Sequence, residues 1–300
     1  MSYLHEICLD EIALEGLDGI TLACLWCRLD QRLPKFPLAL DPKAKQFLWK
    51  GILASKDVAF FSLPEPRKLP TFPHEYMTTD EPTGIVFLKE EVQRKEYPAC
   101  IINSFENDGI QGSCATFKER VDISDEVRGH DGGKVMTLEE VQKRWGDSLV
   151  IVASQELRMS ALVGPHGDPS LELSGLRYSF LEFVGRQRHF GAQQVDFARL
   201  FKLTLTSLHS LRKDLSSNQL LDKRTCLCRT AKHLKNSIFL MLLRFGPLAK
   251  HSNMSHHGML STNLIQILEK QPKRTADFKF LFAELAKKLP SWPFLHKIQP

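Results

Sequence analysis

Ser207, His209, Ser210, Arg212 and Lys213 fall on one short amphipathic stretch, and Lys223, Arg224, Arg229, Lys232, His233 and Lys235 follow close behind. These side chains do not make a catalytic set. They are hydrogen-bond donors and cations, and the chemistry open to them is recognition of a polyanion. An arginine fork can pair bidentately with a guanine, while serine and histidine can reach base edges or phosphate. Arg212 is therefore the leading candidate for reading a base. Lys213, Lys223, Arg224, Arg229, Lys232, His233 and Lys235 suit phosphate, because a point charge positions a duplex without specifying its sequence.

The charge distribution supports this reading. Leu176 to Lys250 holds fourteen Lys/Arg against four Asp/Glu, a net of +10, while the residues before it sum to −9 and those after it to +4. A basic stretch that can also fold is the electrostatic footprint of a polyanion binder. The alternative is a solvated basic face with no ligand.

Other combinations do not assemble. Cys24-Leu-Trp-Cys27 has zinc-knuckle spacing, but Leu25 and Trp26 continue an apolar helical pattern, and the pair Cys226 and Cys228 is remote in sequence, so four closing ligands are not at hand. Cys226-Leu-Cys228 alternates as strand residues do, one thiol toward the core and one toward solvent. Cys114 has no base fixed beside it in sequence. Gly129-His-Asp-Gly-Gly133 lacks the GxxxxGK[ST] pattern of a phosphate cradle. His256-His257 has no paired carboxylate or HExxH. Asn253-Met-Ser255 matches a glycosylation sequon, without a leader to bring it to that machinery. These patterns argue against an enzyme and imply no cofactor and no metal.

The gross numbers fit a globular chain. Three hundred residues suggest about two domains, and 43% hydrophobic with 25% charged residues is ordinary. Seven cysteines, an odd number, fit buried thiols or metal ligands in a reducing compartment. Glu6, Asp10 and Glu11 are at odds with a signal peptide. No apolar run approaches the roughly 18 residues of a membrane span. These features indicate a soluble protein of the cytosol or nucleus.

The elements that must position the basic residues follow from periodicity and punctuation. Leu4 to Leu14 reads as a helix, broken by Gly16 and Asp18-Gly19. Thr21 caps a second helix through Arg32, with Leu22, Leu25, Trp26 and Leu29 on one stripe. Asp41-Pro42 starts a third, to about Ser55, burying Phe47, Leu48 and Ile52. Val58 to Leu63 is a strand, with Gly84 to Leu88 as a candidate returning strand. Three helices followed by a strand pair is the order of a winged helix. Thr137 caps a helix to Trp145, and Leu149 to Ala153 is a buried strand.

After a boundary at His166-Gly-Asp-Pro169 the order repeats. One helix ends near Gly185. A second carries Val195, Ala198, Leu200 and Phe201. A third, capped by Thr204 or Thr206, turns Leu208, Leu211 and Leu215 inward and shows Ser207, His209, Ser210, Arg212 and Lys213 on the opposite face. Asn218 supplies a left-handed C-terminal turn, and Leu220–Arg229 and Ser237–Arg244 form a wing. Met259–Leu268 and Ala276–Leu289 then read as the start of a third winged helix that stops before its recognition helix, as in a truncated product or a fragment. The fold class is mixed α+β, built of tandem winged helices (helix-turn-helix): 1–92, a mixed module or elaborated linker at 93–172, the basic module at 173–250, and 251–300.

Several strings resemble the largest subunit of transcription factor TFIIIC, the B-block binding subunit of the RNA polymerase III machinery. They are Leu9-Asp-Glu-Ile-Ala-Leu-Glu-Gly-Leu-Asp-Gly19, Phe47-Leu-Trp49, Asp108-Gly-Ile-Gln-Gly-Ser-Cys114 with Phe117-Lys-Glu-Arg120, Arg144-Trp-Gly146 and Val150-Ile-Val-Ala-Ser-Gln155. The resemblance covers most of Ile7 to Phe245. It implies repeated winged helices in a far longer subunit, recognition of the B box inside transfer RNA genes, help in recruiting the polymerase III initiation factors (TFIIIB among them), and a place in the nucleus. It puts the family's B-block binding domain at about Leu176–Arg244, where the residues alone put the basic winged helix. The family carries a glycine after the asparagine that ends the third helix, where this chain has Gln219. The tail beyond about Ala283 does not match, and no strong nuclear localisation run is present.

Two expectations follow. In one, the chain is a B-box DNA-binding piece of TFIIIC, with double-stranded DNA and the other TFIIIC subunits as direct partners and TFIIIB and RNA polymerase III as indirect ones. In the other, it is a protein-interaction scaffold of tandem winged helices with little DNA specificity of its own.

Overall fold

The structure, a computed structural model, describes residues 2–80, 85–104, 109–129, 134–164, 168, 171–230, 234–248 and 256–288. Gly84, Asp108, the loop at 130–133, His166, Gly167 and Pro169, Lys232 and His233, the sequon at 253–255 and the tail from Leu289 lie outside these residues. Among the described residues the helices are α1 (Ser2–Ala13), α2 (Leu22–Gln31), α3 (Pro42–Ala54), α4 (Pro73–Tyr76), α5 (Ser124–Arg128), α6 (Leu138–Arg144), α7 (Gln155–Val163), α8 (Gly175–Gly185), α9 (Gln194–Leu200), α10 (Leu205–Ser217), α11 (His256–Glu269) and α12 (Phe278–Lys288). The strands are β1 (Ile20–Thr21), β2 (Val58–Ser62), β3 (Met77–Thr79), β4 (Val86–Leu88), β5 (Ile101–Ser104), β6 (Ile110–Ser113), β7 (Val121–Asp122), β8 (Leu149–Ala153), β9 (Ala192–Gln193), β10 (Leu221–Arg229) and β11 (Leu234–Leu242). No helix among them is long and apolar enough to cross a membrane.

The chain forms two compact units. One comprises Met1–Phe72, Arg94–Asp222 and Leu240–Ala249, and the other Pro73–Gln93, Lys223–Phe239 and Lys250–Pro300.

The first unit contains the same pattern twice. A helix, a short 3-10 turn, a two-residue strand and two further helices occur at α1, Gly16–Asp18, β1, α2 and α3, and again at α8, Arg188–Phe190, β9, α9 and α10. Both copies turn through a glycine with positive φ, Gly19 at 74° and Gly191 at 71°, a conformation that a side chain would strain. The strand orders also agree. β1 borders β8, which borders β2, and β9 borders β11, which borders β10. The chain is thus two winged helices in tandem, as the periodicity predicts.

The caps form where the sequence places them. Thr21 Oγ1 accepts from Cys24 N, Asp41 Oδ1 from Ala44 N, and Thr204 Oγ1 from Ser207 N. Thr137 and Glu140 make a reciprocal capping box.

The returning strand of the first winged helix is not Gly84–Leu88. β2 pairs antiparallel with β8, from Val58↔Ala153 to Ser62↔Leu149, whereas β4 pairs antiparallel with β3 and parallel with β10 in the other unit. The interior position needs a strand buried on both faces, and β8 is the continuous apolar run, with all five residues buried. The loop between β2 and β8 accordingly carries the β5–β6 hairpin, α5 and α6.

Two core assignments also change. Phe47 is 44% exposed, while Trp49 is buried and donates Nε1–H to Met136 O at 3.0 Å. α3 buries Ala44, Leu48 and Ile52 on one stripe and turns Trp49 to the flank facing α6, which leaves Phe47 outward. On α9 the buried residue is Phe197, enclosed by the rings of Phe180, Phe183 and Phe201 at centroid distances of 4.3, 5.4 and 4.1 Å, and Val195 is exposed. In a helix this short only one stripe reaches the core, and the larger aromatic area takes it.

In the second unit β3, β4 and the outer parts of β10 and β11 lie side by side. Leu227, Ile267 and Leu285 form its buried cluster, flanked by Leu260, Leu264 and Leu281. Cys226, Leu227 and Cys228 are all buried. The expected alternation of core and solvent requires a strand with one open face, and β10 has none over Cys226–Cys228.

Candidate nucleic-acid interface

α10 is held by Leu208, Leu211 and Leu215, all buried. This fixes which side chains point away from the protein. Thr206, Ser207, His209, Ser210 and Lys213 are exposed, and Ser207 Oγ lies 2.9 Å from Thr204 Oγ1. Thr206 belongs to this face although its sequence position suggested only a cap. Arg212 stands on the flank rather than the outward face: it is half-buried, and its Nη1 donates to Oε1 of Gln194, the first residue of α9. One of five guanidinium donors is used there. On the other flank Asp214 Oδ2 accepts from Arg177 Nε at 2.7 Å, which removes the one carboxylate of the helix from the outward face.

The helix ends differently from the sequence expectation. Asn218 has φ −83°, and Gln219 takes the left-handed conformation at φ 57°. The Asn218 side chain instead donates Nδ2–H to Asp214 O at 3.0 Å, a carbonyl of the last turn that also accepts from Asn218 N and Ser217 Oγ. The strained position is thus Gln219, not Asn218.

The remaining candidates lie on the outer hairpin, in the second unit. Lys223, Arg229 and Lys235 are exposed and Arg224 is half-buried; the Arg229 guanidinium stands 5.9 Å from the Phe87 ring centroid. Lys232 and His233 fall outside the described residues. α10 therefore brings five of the candidate residues onto one helix, and the outer hairpin carries the other four described ones. No group of three or more His, Cys, Asp or Glu among the described residues could hold a metal.

The first unit also holds a set of buried charges that sequence reasoning missed. Glu182, inside the apolar helix α8, is fully buried. Its Oε1 accepts from Leu17 N at 2.9 Å and Arg158 Nη1 at 3.0 Å, and its Oε2 from Ser113 N at 2.8 Å. Gly112 permits this approach: with φ 144° it has no Cβ, and one built there would lie 2.5 Å from Leu17 Cβ. Arg188 donates Nη2–H to Glu11 Oε2 at 3.0 Å and stands 2.7 Å from Glu15 Oε1; Arg186 donates Nε–H to Glu15 O at 2.9 Å. Arg244 grips both oxygens of Asp10 at 2.7 and 2.8 Å. Burial pushes the Glu182 carboxyl above its ordinary value, against the pull of Arg158 and Arg186. Burial alone would also raise Glu15, but Arg28, Arg188 and Arg186 together hold it below the ordinary value. A glutamate within an apolar run such as Tyr178–Gly185 was the available signal, since an unpaired buried carboxylate is untenable.

The repeated helix-turn-helix, its sheets and the outward face of α10 define a tandem winged-helix protein. Residues 1–163 match the family model described as General transcription factor 3C polypeptide 1, winged-helix domain, and residues 174–247 match B-block binding subunit of TFIIIC. The General transcription factor 3C polypeptide 1 proteins of Rattus norvegicus, Mus musculus and Homo sapiens are each 40% identical to it over 245 residues. The match takes in 80% of this chain and 11% of the rat protein, or 12% of the mouse and human ones. The chain belongs to the general transcription factor 3C polypeptide 1 family.

Proposed function

We propose that this chain is a DNA-binding part of TFIIIC that recognises the B box of internal promoters in transfer RNA genes. In this reading it acts in the nucleus with the other TFIIIC subunits and, through TFIIIB, supports initiation by RNA polymerase III. The observation that carries the proposal is a coincidence of position. The stretch matching a B-block binding subunit contains α10, and α10 turns Ser207, His209, Ser210 and Lys213 outward with its one carboxylate engaged elsewhere.

Residues near the start of such a helix face base edges in the major groove. Ser207, His209 and Ser210 supply contacts to bases or phosphate. Arg212, steadied by Gln194, keeps enough free donors for a guanine. Lys213, Lys223, Arg224, Arg229, Lys232, His233 and Lys235 neutralise phosphates, each adding about 0.9 to the slope of log affinity against log salt.

One observation favours the scaffold reading. Leu205 is 70% and Val195 56% exposed, apolar surface that a protein partner would cover. Fluorescence anisotropy of the whole chain on a B-box duplex and a scrambled duplex, across a salt series, separates the two. A B-box preference that persists near physiological salt and falls in R212A/K213A supports DNA reading. Equal affinity for both duplexes in the unaltered chain overturns it and leaves the scaffold.

A further inference from the structure

The first winged helix carries its own outward third helix. By the repeat, α3 occupies in the first copy the place that α10 occupies in the second. It contains Lys43, Lys45 and Lys50 and no carboxylate, although the residues before Leu176 sum to −9. Lys43, Phe47, Lys50 and Ala54, at helical spacing, are all exposed. The inward residues are Ala44, Leu48, Trp49 and Ile52, so the lysine stripe is set by the packing of the helix. On the flank Gln46 Nε2 donates to Glu139 Oε1 at 3.2 Å, the N-cap carboxylate of Asp41 accepts from Ala44 N at 2.7 Å, and Lys45 Nζ is drawn over the Trp26 ring at 5.8 Å.

We infer that α3 is a second contact surface for double-stranded DNA, binding phosphate through Lys43 and Lys50 with Phe47 between them. Lysines without a carboxylate on the same helix suit a polyanion. A cationic stripe on the helix that enters the groove in this fold, in a part of the chain that is acidic as a whole, complements a duplex. Two lysines grip without reading, so this surface adds affinity on any sequence and leaves discrimination to other residues. The inference goes beyond the α10 reading and does not depend on it.

The test uses the whole chain on both the B-box and the scrambled duplex. K43Q/K50Q is expected to weaken binding to the two duplexes by the same factor and to lower the salt slope by about 1.8, that is 0.9 for each lost phosphate contact. K43R/K50R should restore both. K118Q/K143Q removes the same charge from other exposed sites of the first unit and should change little. Unchanged slope in K43Q/K50Q, or an equal loss in K118Q/K143Q, overturns the inference; a circular-dichroism melt of each variant checks that the fold is retained. If the unaltered chain shows no B-box preference but its slope still depends on Lys43 and Lys50, the α10 reading fails and this one stands.

Discussion

Arg158 Nη1 lies 3.0 Å from Glu182 Oε1, with side chains 2% and 0% exposed. Arg158 belongs to the part of the chain matching the winged-helix family model, and Glu182 to the part matching the B-block binding subunit. A charge pair withdrawn from water must have its remaining hydrogen bonds satisfied, and here backbone N–H groups of Leu17 and Ser113 complete the set. The second winged helix is therefore seated on the first through its own buried carboxylate.

Removing one partner leaves the other charged and unpaired. Glu182→Ala should destabilise the chain by about 3–5 kcal/mol in urea unfolding, since broken buried pairs cost that much. An isolated 173–250 fragment would lack Arg158, Glu11 and Glu15 and should unfold at far lower urea than the whole chain. A fragment as stable as the whole would refute this role of the interface.

Gln219 holds φ 57° at the end of α10. A non-glycine residue in the left-handed region carries a steric cost of about 1 kcal/mol that glycine escapes. Gln219→Gly should raise the unfolding free energy by roughly that amount, about 1 kcal/mol. Thermal or urea unfolding would show it, and a loss of stability would contradict the observed turn.

Glu15 gives the chain an acid limit. Its folded carboxyl is held below the ordinary value of 4.5 by Arg28, Arg188 and Arg186, which outweigh its burial. The folded state thus binds this proton less readily than the unfolded state. Its contribution is fully present above pH 4.5 and is lost as pH falls from there through the folded value. Melting temperature should drop on acidification in that window. Glu15→Gln should melt lower at neutral pH and show a shallower acid drop; an equally steep drop would assign the effect to other carboxylates.

Thiol reactivity should separate sharply by position. Burial pushes Cys8 and Cys24 up to about 12, while Cys100 is exposed. The thiolate is the reactive species, so a thiol reagent at mildly alkaline pH should label Cys100 in the native chain and reach Cys8 and Cys24 only after denaturant is added. Peptide mapping by mass spectrometry reads the order, and early labelling of Cys24 would contradict the α2 packing.

Local order was legible wherever one residue type fixes a local geometry. Thr21, Asp41, Thr137 and Thr204 start helices because a side-chain oxygen satisfies a backbone N–H within the same turn. Leu208, Leu211 and Leu215 mark the buried stripe of α10 because a helix repeats every 3.6 residues. Those two rules were enough for the tandem winged helices and for the outward positions of Ser207, His209, Ser210 and Lys213. They could not separate Arg212 from that group, because its half-buried pose depends on Gln194 of another helix.

The sequence by itself determined the two helix-turn-helix repeats, the charge contrast between them and the helix that faces outward, since each follows from neighbours along the chain. Only the tertiary structure decided that β8, not Gly84–Leu88, closes the first sheet, that Phe47 faces outward, and that Glu182 meets Arg158. Strand partnership and ion pairing join residues far apart in sequence, and periodicity says which face of an element is apolar without saying what that face will meet.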